Sequence, residues 1–284
     1  MEAVIETSDV IYVCTWTSEH PDIVAAAARA GKPVFCEKPL AVDLATARRM
    51  AQAVAEAGVV NQVGLVLRHS PAFRWVRHQI ALPTSGPLMS IVFRDDQYLP
   101  IQGLYGSTWR IDGDKAGSGT LLEHSVHDLD LLRWMMGPIE SVSAHTENHH
   151  GHPGIEDQAS VLLSATGGAL ATLTSVWHDL LDRPSQRRVE VFCRHAYFHI
   201  EGDWNGPVHW ERHGSSGCLD GNDLAAAAAA ADGQGHNPDA AFIAAVRSGQ
   251  PAHPDFAVAL EAHRLCDAAY RSAAGGGRPV APPE

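Results

Sequence analysis

The sequence predicts an α/β chain in two parts: an incomplete doubly wound parallel sheet, then an α+β domain built on a mostly antiparallel open sheet. Two observations carry this. Between residues 9 and 67, short apolar runs alternate with helical patterns, as parallel strands joined by crossover helices do. Beyond residue 87, strand-like runs follow one another with few helices between them, as antiparallel strands do.

The elements of the first part follow in order. Residues 9–15, Asp-Val-Ile-Tyr-Val-Cys-Thr, form a short β-branched run and read as a buried parallel strand. A helix follows from Glu19 to Ala30, with Pro21 in its first turn and Gly31 just past its end. Residues 33–36 make the next strand. Asp43 can cap a helix through Ala57 that stops at Gly58, and residues 59–66 supply a third strand. The sum is βαβαβ, one half of a Rossmann-like sheet.

The second part opens with a helix over 71–82 and a turn at 83–87, then a strand beginning at Leu88. Further strands are expected at 141–147, 158–165, 169–177, 188–193 and 196–202. The alanine-rich segment 223–233 reads as a helix or a loose surface insertion. A last helix, 254–273, precedes a Gly/Pro-rich tail. The domain reading is therefore 1–68 for the partial dinucleotide-binding domain, 69–253 for the α+β domain, and 254–284 for the C-terminal helix and tail.

Composition narrows the function classes. The chain has 284 residues, 45% of them hydrophobic, so there is material for a core and disorder is excluded as its main character. The formal charge of −12 disfavours nucleic acid, whose phosphates it repels. No apolar run reaches the ~20 residues of a membrane helix. The 5 cysteines are scattered without a Cys-x-x-Cys pair, and the start lacks a signal-peptide pattern. A cytoplasmic protein is the expectation.

Two segments carry chemistry. In residues 116–137, Thr120 as N-cap and Gly137 as stop predict one helix, apolar over most of its girth. Glu123, His127 and Asp130 fall at i, i+4 and i+7 on one narrow stripe of it. Burying such a set costs on the order of several kcal/mol unless the groups pair or line a wet cavity. It reads either as a satisfied structural network or as an acid–base site. The second segment is Cys36-Glu37-Lys38-Pro39, at the carboxyl end of a parallel strand, where open α/β sheets bind ligands. Pro39 keeps Lys38 out of the α region, so the lysine can be aimed at a reacting centre.

These residues together resemble a known family. An Asp-Val-x-x-Val-x-Thr strand is followed by a His and then Glu-Lys-Pro. Later comes Gly-x-Gly-x-Leu-Leu-acid-x-x-x-His-x-x-Asp. This order is similar to that of the Gfo/Idh/MocA oxidoreductases, relatives of glucose–fructose oxidoreductase and inositol dehydrogenase. The resemblance runs from about residue 9 to residue 270, on two motifs roughly 85 residues apart. It implies NAD or NADP as cofactor, a sugar, cyclitol or related polyol as substrate, and hydride transfer at a hydroxyl-bearing carbon. It places Lys38 beside nicotinamide and substrate, and the second motif's acid and histidine on Glu123 and His127. The acid is commonly Asp, so Glu123 is a departure, one methylene longer. On this reading His127 is the base, Lys38 polarises the oxygen, Glu123 orients the lysine or holds a neighbouring hydroxyl, and Asp130 fixes the tautomer of His127. Thr15, His20, Glu37 and Lys38 are the cofactor-proximal positions, and Arg68, His69, Trp109, Arg110, Asp130 and His178 are pocket candidates. A homodimer or homotetramer through the antiparallel sheet is implied by the resemblance as well.

One expected motif has no counterpart. The family opens with a strand, a Gly-x-Gly-x-x-Gly turn and a helix, none of which is present. Gly117-Ser118-Gly119 reads as a close-packing turn and not as a pyrophosphate loop. Roughly 60 residues upstream, about two βα units, are expected to be absent. On that expectation the chain as written binds dinucleotide weakly or not at all. Two other readings stay open: a cofactor-deficient relative that binds a sugar-like ligand, and a metal-dependent lyase or isomerase. The second draws on His145, His149, His150 and His152, which lie in a Gly/Pro-bounded loop without helical ligand spacing, so no metal site is assigned.

Overall fold

The computed structural model describes residues 1–284. The chain begins with α1 (Glu2–Thr7), β1 (Ile11–Val13), α2 (His20–Arg29), β2 (Val34–Cys36), α3 (Leu44–Ala57) and β3 (Asn61–Val63). The strands pair in the order β1-β2-β3, both pairs parallel. Local chemistry sets α3 in place: the Asp43 carboxylate accepts from Thr46 N at 2.6 Å, and Gly58 takes φ +64° at the other end. An N-cap of this kind is worth ~1 kcal/mol.

The second part comprises α4 (Pro71–Ile80), β4 (Leu88–Tyr98), α5 (Gly113–Ala116), α6 (Val126–Met136), β5 (Ile139–Glu147), β6 (Gln158–Ala165), β7 (Leu170–His178), β8 (Gln186–Cys193), β9 (Ala196–Ile200), β10 (Val208–Arg212) and β11 (Ser215–Leu219). Three helices close the chain: α7 (Gly221–Asp232), α8 (Pro238–Ser248) and α9 (Phe256–Ala274). The eight strands form one sheet in the order β11-β10-β9-β8-β4-β7-β6-β5, antiparallel except for β4 beside β7. One face alternates into the core, as with Ile91 and Phe93, Leu173, and Val189 and Val191, all within 1% of full burial. Helices α6 and α9 join the same apolar core through Leu129, Leu132, Ala262 and Leu265. No helix is long and apolar enough to cross a membrane.

The structure departs from the sequence expectation at several elements, and it decides for a helix in the alanine-rich segment. Residues 120–137 are not one helix, because a single π-helical turn, Thr120–His124, precedes α6. The hairpin β10–β11 and helices α1 and α8 were not anticipated. In β10 and β11, polar residues take most positions, so the period-2 apolar signal is weak. The alanine-rich segment is an ordered helix, α7, with Leu224 and Ala228 fully buried. The Asp232 carboxylate at its end pairs with buried Arg74 of α4. Phe242 of α8 meets Phe35 of β2 with ring centroids 5.8 Å apart, so the chain returns to the parallel sheet before α9.

Candidate active site

The carboxyl end of β2 presents Glu37 and Lys38. The Glu37 amide donates to Val13 O at 2.9 Å, which extends the sheet by one residue and sets the direction of the loop. The Glu37 side chain folds back over Gly64, where an added Cβ would lie 2.7 Å from its Oε2. Any larger residue at 64 would displace that carboxyl. Burial raises the pKa of Glu37, opposed by the Lys38 amide and ammonium. Lys38 Nζ donates to the main-chain oxygen of Glu123 at 2.6 Å and lies 3.6 Å from its Oε1.

Glu123 owes its place to a turn held from elsewhere in the chain. Gly119 abuts the backbone of Glu156 so closely that a Cβ would lie 1.8 Å from Glu156 O, which only glycine avoids. The Glu156 carboxylate then accepts from Gly119 N at 2.8 Å and Leu121 N at 2.9 Å, and Tyr270 Oη donates to it at 2.9 Å. These bonds satisfy donors that the start of a helix leaves unpaired. Gly117-Ser118-Gly119 is thus a close-packing turn. The π-helical turn that follows carries Glu123 and His124.

The stripe expected of Glu123, His127 and Asp130 divides in three directions. Glu123, 3% exposed, accepts from Arg110 Nε at 2.8 Å and faces Lys38. Burial acts to raise its pKa, but Lys38 and Arg110 hold it below the ordinary carboxylate value. His127 is buried with no partner on Nδ1. Burial first, then Lys38, Arg187 and His124, keep its pKa well below that of free imidazole. Asp130 accepts from Arg68 Nε at 2.7 Å and Nη2 at 2.8 Å. The expectation that Asp130 fixes the tautomer of His127 is therefore corrected. A buried carboxylate needs a cation, and the guanidinium fork occupies both of its oxygens.

Two cavities meet at these residues. One, of about 470 Å³, opens at the carboxyl edges of β1 and β2 and is lined by Thr15, Trp16, Thr17, Glu37, Trp109 and neighbours. The other, of about 290 Å³, is lined by Leu67, Gln97, Tyr105, His124, His127, Arg187 and Asp203 among others. Lys38, Arg110 and Glu123 line both, forming a bar between them. The remaining sequence candidates lie outside both cavities. His20 is buried with its ring nitrogens 3.3 Å from Thr15 O and Leu40 O, beneath the loop that carries Thr15. His69 is buried behind Arg68 in the chain. His178 lies 3.6 Å from Asp96. In the histidine-rich loop, His150 contacts Asp157 at 2.5 Å and Asp179 at 3.2 Å, so both its ring nitrogens are engaged. No group of three or more His, Cys, Asp or Glu residues is arranged to hold a metal ion.

Sequence reasoning missed a polar cluster that floors the second cavity. Arg187 reaches Asp128 at 2.8 Å, Asp203 at 2.9 Å and Asp95 at 3.1 Å, while His124 Nε2 lies 2.9 Å from Asp95. Burial and the charge of Asp95 push the pKa of Asp128 up to about 7. Burial and the Arg187 charge push that of His124 down to about 3. Asp95 Oδ1 and Asp128 Oδ2 are both buried without a partner, and the raised pKa of Asp128 favours its protonated carboxyl in this site. A signal for this cluster was present: Asp95, Ser175 and Arg187 occupy core-facing strand positions where the alternation calls for apolar residues.

Comparison with known proteins bears on this geometry. A family model described as "Oxidoreductase family, NAD-binding Rossmann fold" matches residues 1–65, and one described as "GFO/IDH/MocA C-terminal domain" matches residues 73–199. The chain is 41% identical over 154 residues to a 1,5-anhydro-D-fructose reductase of Ensifer adhaerens, covering 52% of this chain and 44% of that protein. It is 33% identical over 172 residues to an inositol 2-dehydrogenase of Cereibacter sphaeroides, covering 59% and 48%. The chain thus spans about half the length of the curated relatives it matches. Among solved structures, an oxidoreductase domain protein from Kribbella flavida superposes with a TM-score of 0.85 at 26% identity, over 99% of this chain and 83% of that one.

Proposed function

The chain belongs to the GFO/IDH/MocA oxidoreductase family, and from that premise we propose that it transfers a hydride between NAD or NADP and a hydroxyl-bearing carbon of a sugar, cyclitol or related polyol. The observation that carries the proposal is the Lys38–Glu123–Arg110 bar between two adjoining cavities. One cavity suits the nicotinamide end of a dinucleotide and the other a single sugar-sized ring.

The residues present fit such a cofactor. The larger cavity lies at the strand edge where α/β sheets bind nucleotides. Thr15, Trp16, Glu37 and Lys38 would hold the nicotinamide end, with His20 supporting the Thr15 loop from below. When bound, the cofactor supplies the nicotinamide carbon that accepts or donates the hydride.

The chain's own residues handle the oxygen and its proton. Lys38 spends one of its three N–H donors on Glu123 O, and we assign the others to the substrate oxygen. His127, which lines the second cavity and is kept neutral by its lowered pKa, takes the hydroxyl proton. Glu123 holds Lys38 and Arg110 in place. Asp203 and Gln97 offer acceptors and donors to the remaining hydroxyls. We also propose self-association through the outer face of the large sheet, where Val92, Leu162, Leu170 and Phe192 are 40–48% exposed.

The test is direct. NADH and NADPH are titrated into the purified protein by fluorescence, followed by assay with myo-inositol and other cyclitols for oxidation and 1,5-anhydro-D-fructose for reduction. Weak nicotinamide binding, in keeping with the lack of a glycine-rich pyrophosphate turn in this sequence, and polyol-dependent turnover at high cofactor concentration are expected. Failure to bind either cofactor and to turn over any polyol would overturn the proposal. Light scattering reads the association state, and Leu162→Glu is expected to shift it toward monomer.

A further inference from the structure

A third cavity, of about 350 Å³, opens where α4, α6 and α9 meet, and it shares no lining residue with the two cavities of the candidate active site. Its walls carry Arg68, Arg77 and Arg133, with Trp134, Val258 and Glu261 between them. In a chain of net charge −12, such a gathering of guanidinium groups needs a reason.

Charge pairing inside the protein supplies only part of one. Asp130 is committed to Arg68 through both of its oxygens. Glu261 approaches Arg133 only to 3.7 Å, while it accepts from Arg264 at 2.6 Å. Arg77 has no carboxylate partner, and its Nε donates to the carbonyl of Trp134 at 3.3 Å. A guanidinium has about five N–H donors in a fixed fork, so capping that carbonyl leaves most of those on Arg77 free. The Arg133 side chain makes no hydrogen bond within the protein, only the long contact to Glu261. Burial and the neighbouring charge of Arg68 both lower the pKa of Arg77, as expected of a cation crowded by another cation.

The free donors are also held in place. The Trp134 ring lies 4.6 Å from the Arg77 guanidinium carbon and 5.1 Å from that of Arg68. Stacking of this kind orients the planar forks and reduces the entropy lost when they bind a ligand. The ligand that matches several converging guanidinium forks is a tetrahedral oxyanion with more than one negative charge. Trp134 and Val258 add apolar wall for a short carbon chain attached to it.

We propose that this cleft is a binding site for a phosphate dianion, free or as the monoester of a small organic molecule, gripped by Arg77 and Arg133 with Arg68 at its edge. The proposal is independent of the hydride-transfer reading, since Arg68, a pocket candidate from the sequence, lies outside both cavities of that reaction and no other residue is shared.

Isothermal titration with inorganic phosphate and with glycerol 3-phosphate tests it, at constant ionic strength set with sodium chloride. Saturable binding of one anion per chain is expected. The affinity should fall at least tenfold in Arg77→Gln/Arg133→Gln, with circular dichroism confirming that the variant is folded. If the double variant fails to fold, Arg133→Gln alone serves, because the Arg133 side chain has no hydrogen bond to lose and only a long contact to Glu261, and a several-fold loss is expected there. Tighter binding of glycerol 3-phosphate than of phosphate supports the site and identifies a monoester as its ligand; equal binding supports it with free phosphate. No saturable heat, or unchanged affinity in the folded variant, overturns the proposal.

Discussion

Lys38 and Glu123 are joined twice: the lysine Nζ donates to the main-chain oxygen of Glu123 at 2.6 Å and stands 3.6 Å from its carboxylate. The main-chain bond depends on the π-helical turn and not on the acid, so it survives any substitution at 123. The carboxylate contact adds charge and is shared with Arg110. The family's usual Asp is one methylene shorter. In this chain the longer Glu123 spans Lys38 and Arg110 together.

Lys38 is expected to matter for chemistry and little for stability, because it lies on a cavity wall. Lys38→Ala should lower kcat by ~10²- to 10⁴-fold, the scale of a lost proton-handling group. The melting temperature should move by a few degrees at most. Turnover close to wild type would remove the lysine from the mechanism.

The acid limb of the pH–rate profile reports the base. Burial, Lys38, Arg187 and His124 all lower the pKa of His127, so the neutral base persists below the ~6.5 of a free imidazole. The profile of kcat/KM is expected to break on the acid side below that value. A break at or above it points to a different base.

Asp128 makes a separate statement about stability. Its pKa is raised to about 7 in the folded chain, against about 3.9 for an unfolded aspartate. Between these values the native state holds a proton that the unfolded state lacks. The contribution is therefore complete below about pH 4 and is lost as the pH rises toward 7. Asp128→Asn is neutral at every pH, so its melting temperature should fall less than wild type across that window. Parallel curves for the two proteins would exclude a protonated Asp128 in the native state.

Asp130 separates structure from catalysis. Removing one partner of a buried ion pair costs about 3–5 kcal/mol, and Asp130→Asn should destabilise on that scale by denaturant unfolding. The acid limb of the pH–rate profile should stay where it is, because Arg68 and not His127 holds the carboxylate. A displaced limb would restore Asp130 to the histidine.

Much of the architecture was legible locally. Alternating and continuous apolar runs marked the three parallel strands and most of the large sheet, and Asp43 and Gly58 bounded α3 to the residue. Lys38 stood out because a strand end is a local feature with a known use. The weak points were also local in origin. The polar hairpin β10–β11 carries little periodicity, and the break before α6 depends on Glu156, which lies 35 residues beyond Leu121.

What the sequence determined by itself was the order and kind of most elements and the residue types able to do the chemistry, since both follow from short-range periodicity and from motif. Which side chains meet was decided only by the tertiary structure. Lys38 and Glu123 lie 85 positions apart, and strand register, helix docking and the π-helical turn together put them in contact. The same packing turned Asp130 to Arg68 and set Asp95, Asp128 and Arg187 beneath the second cavity. The physical reason is that a buried charge takes whichever partner the packed elements bring within hydrogen-bond reach, and helical spacing along one segment carries no information about the others.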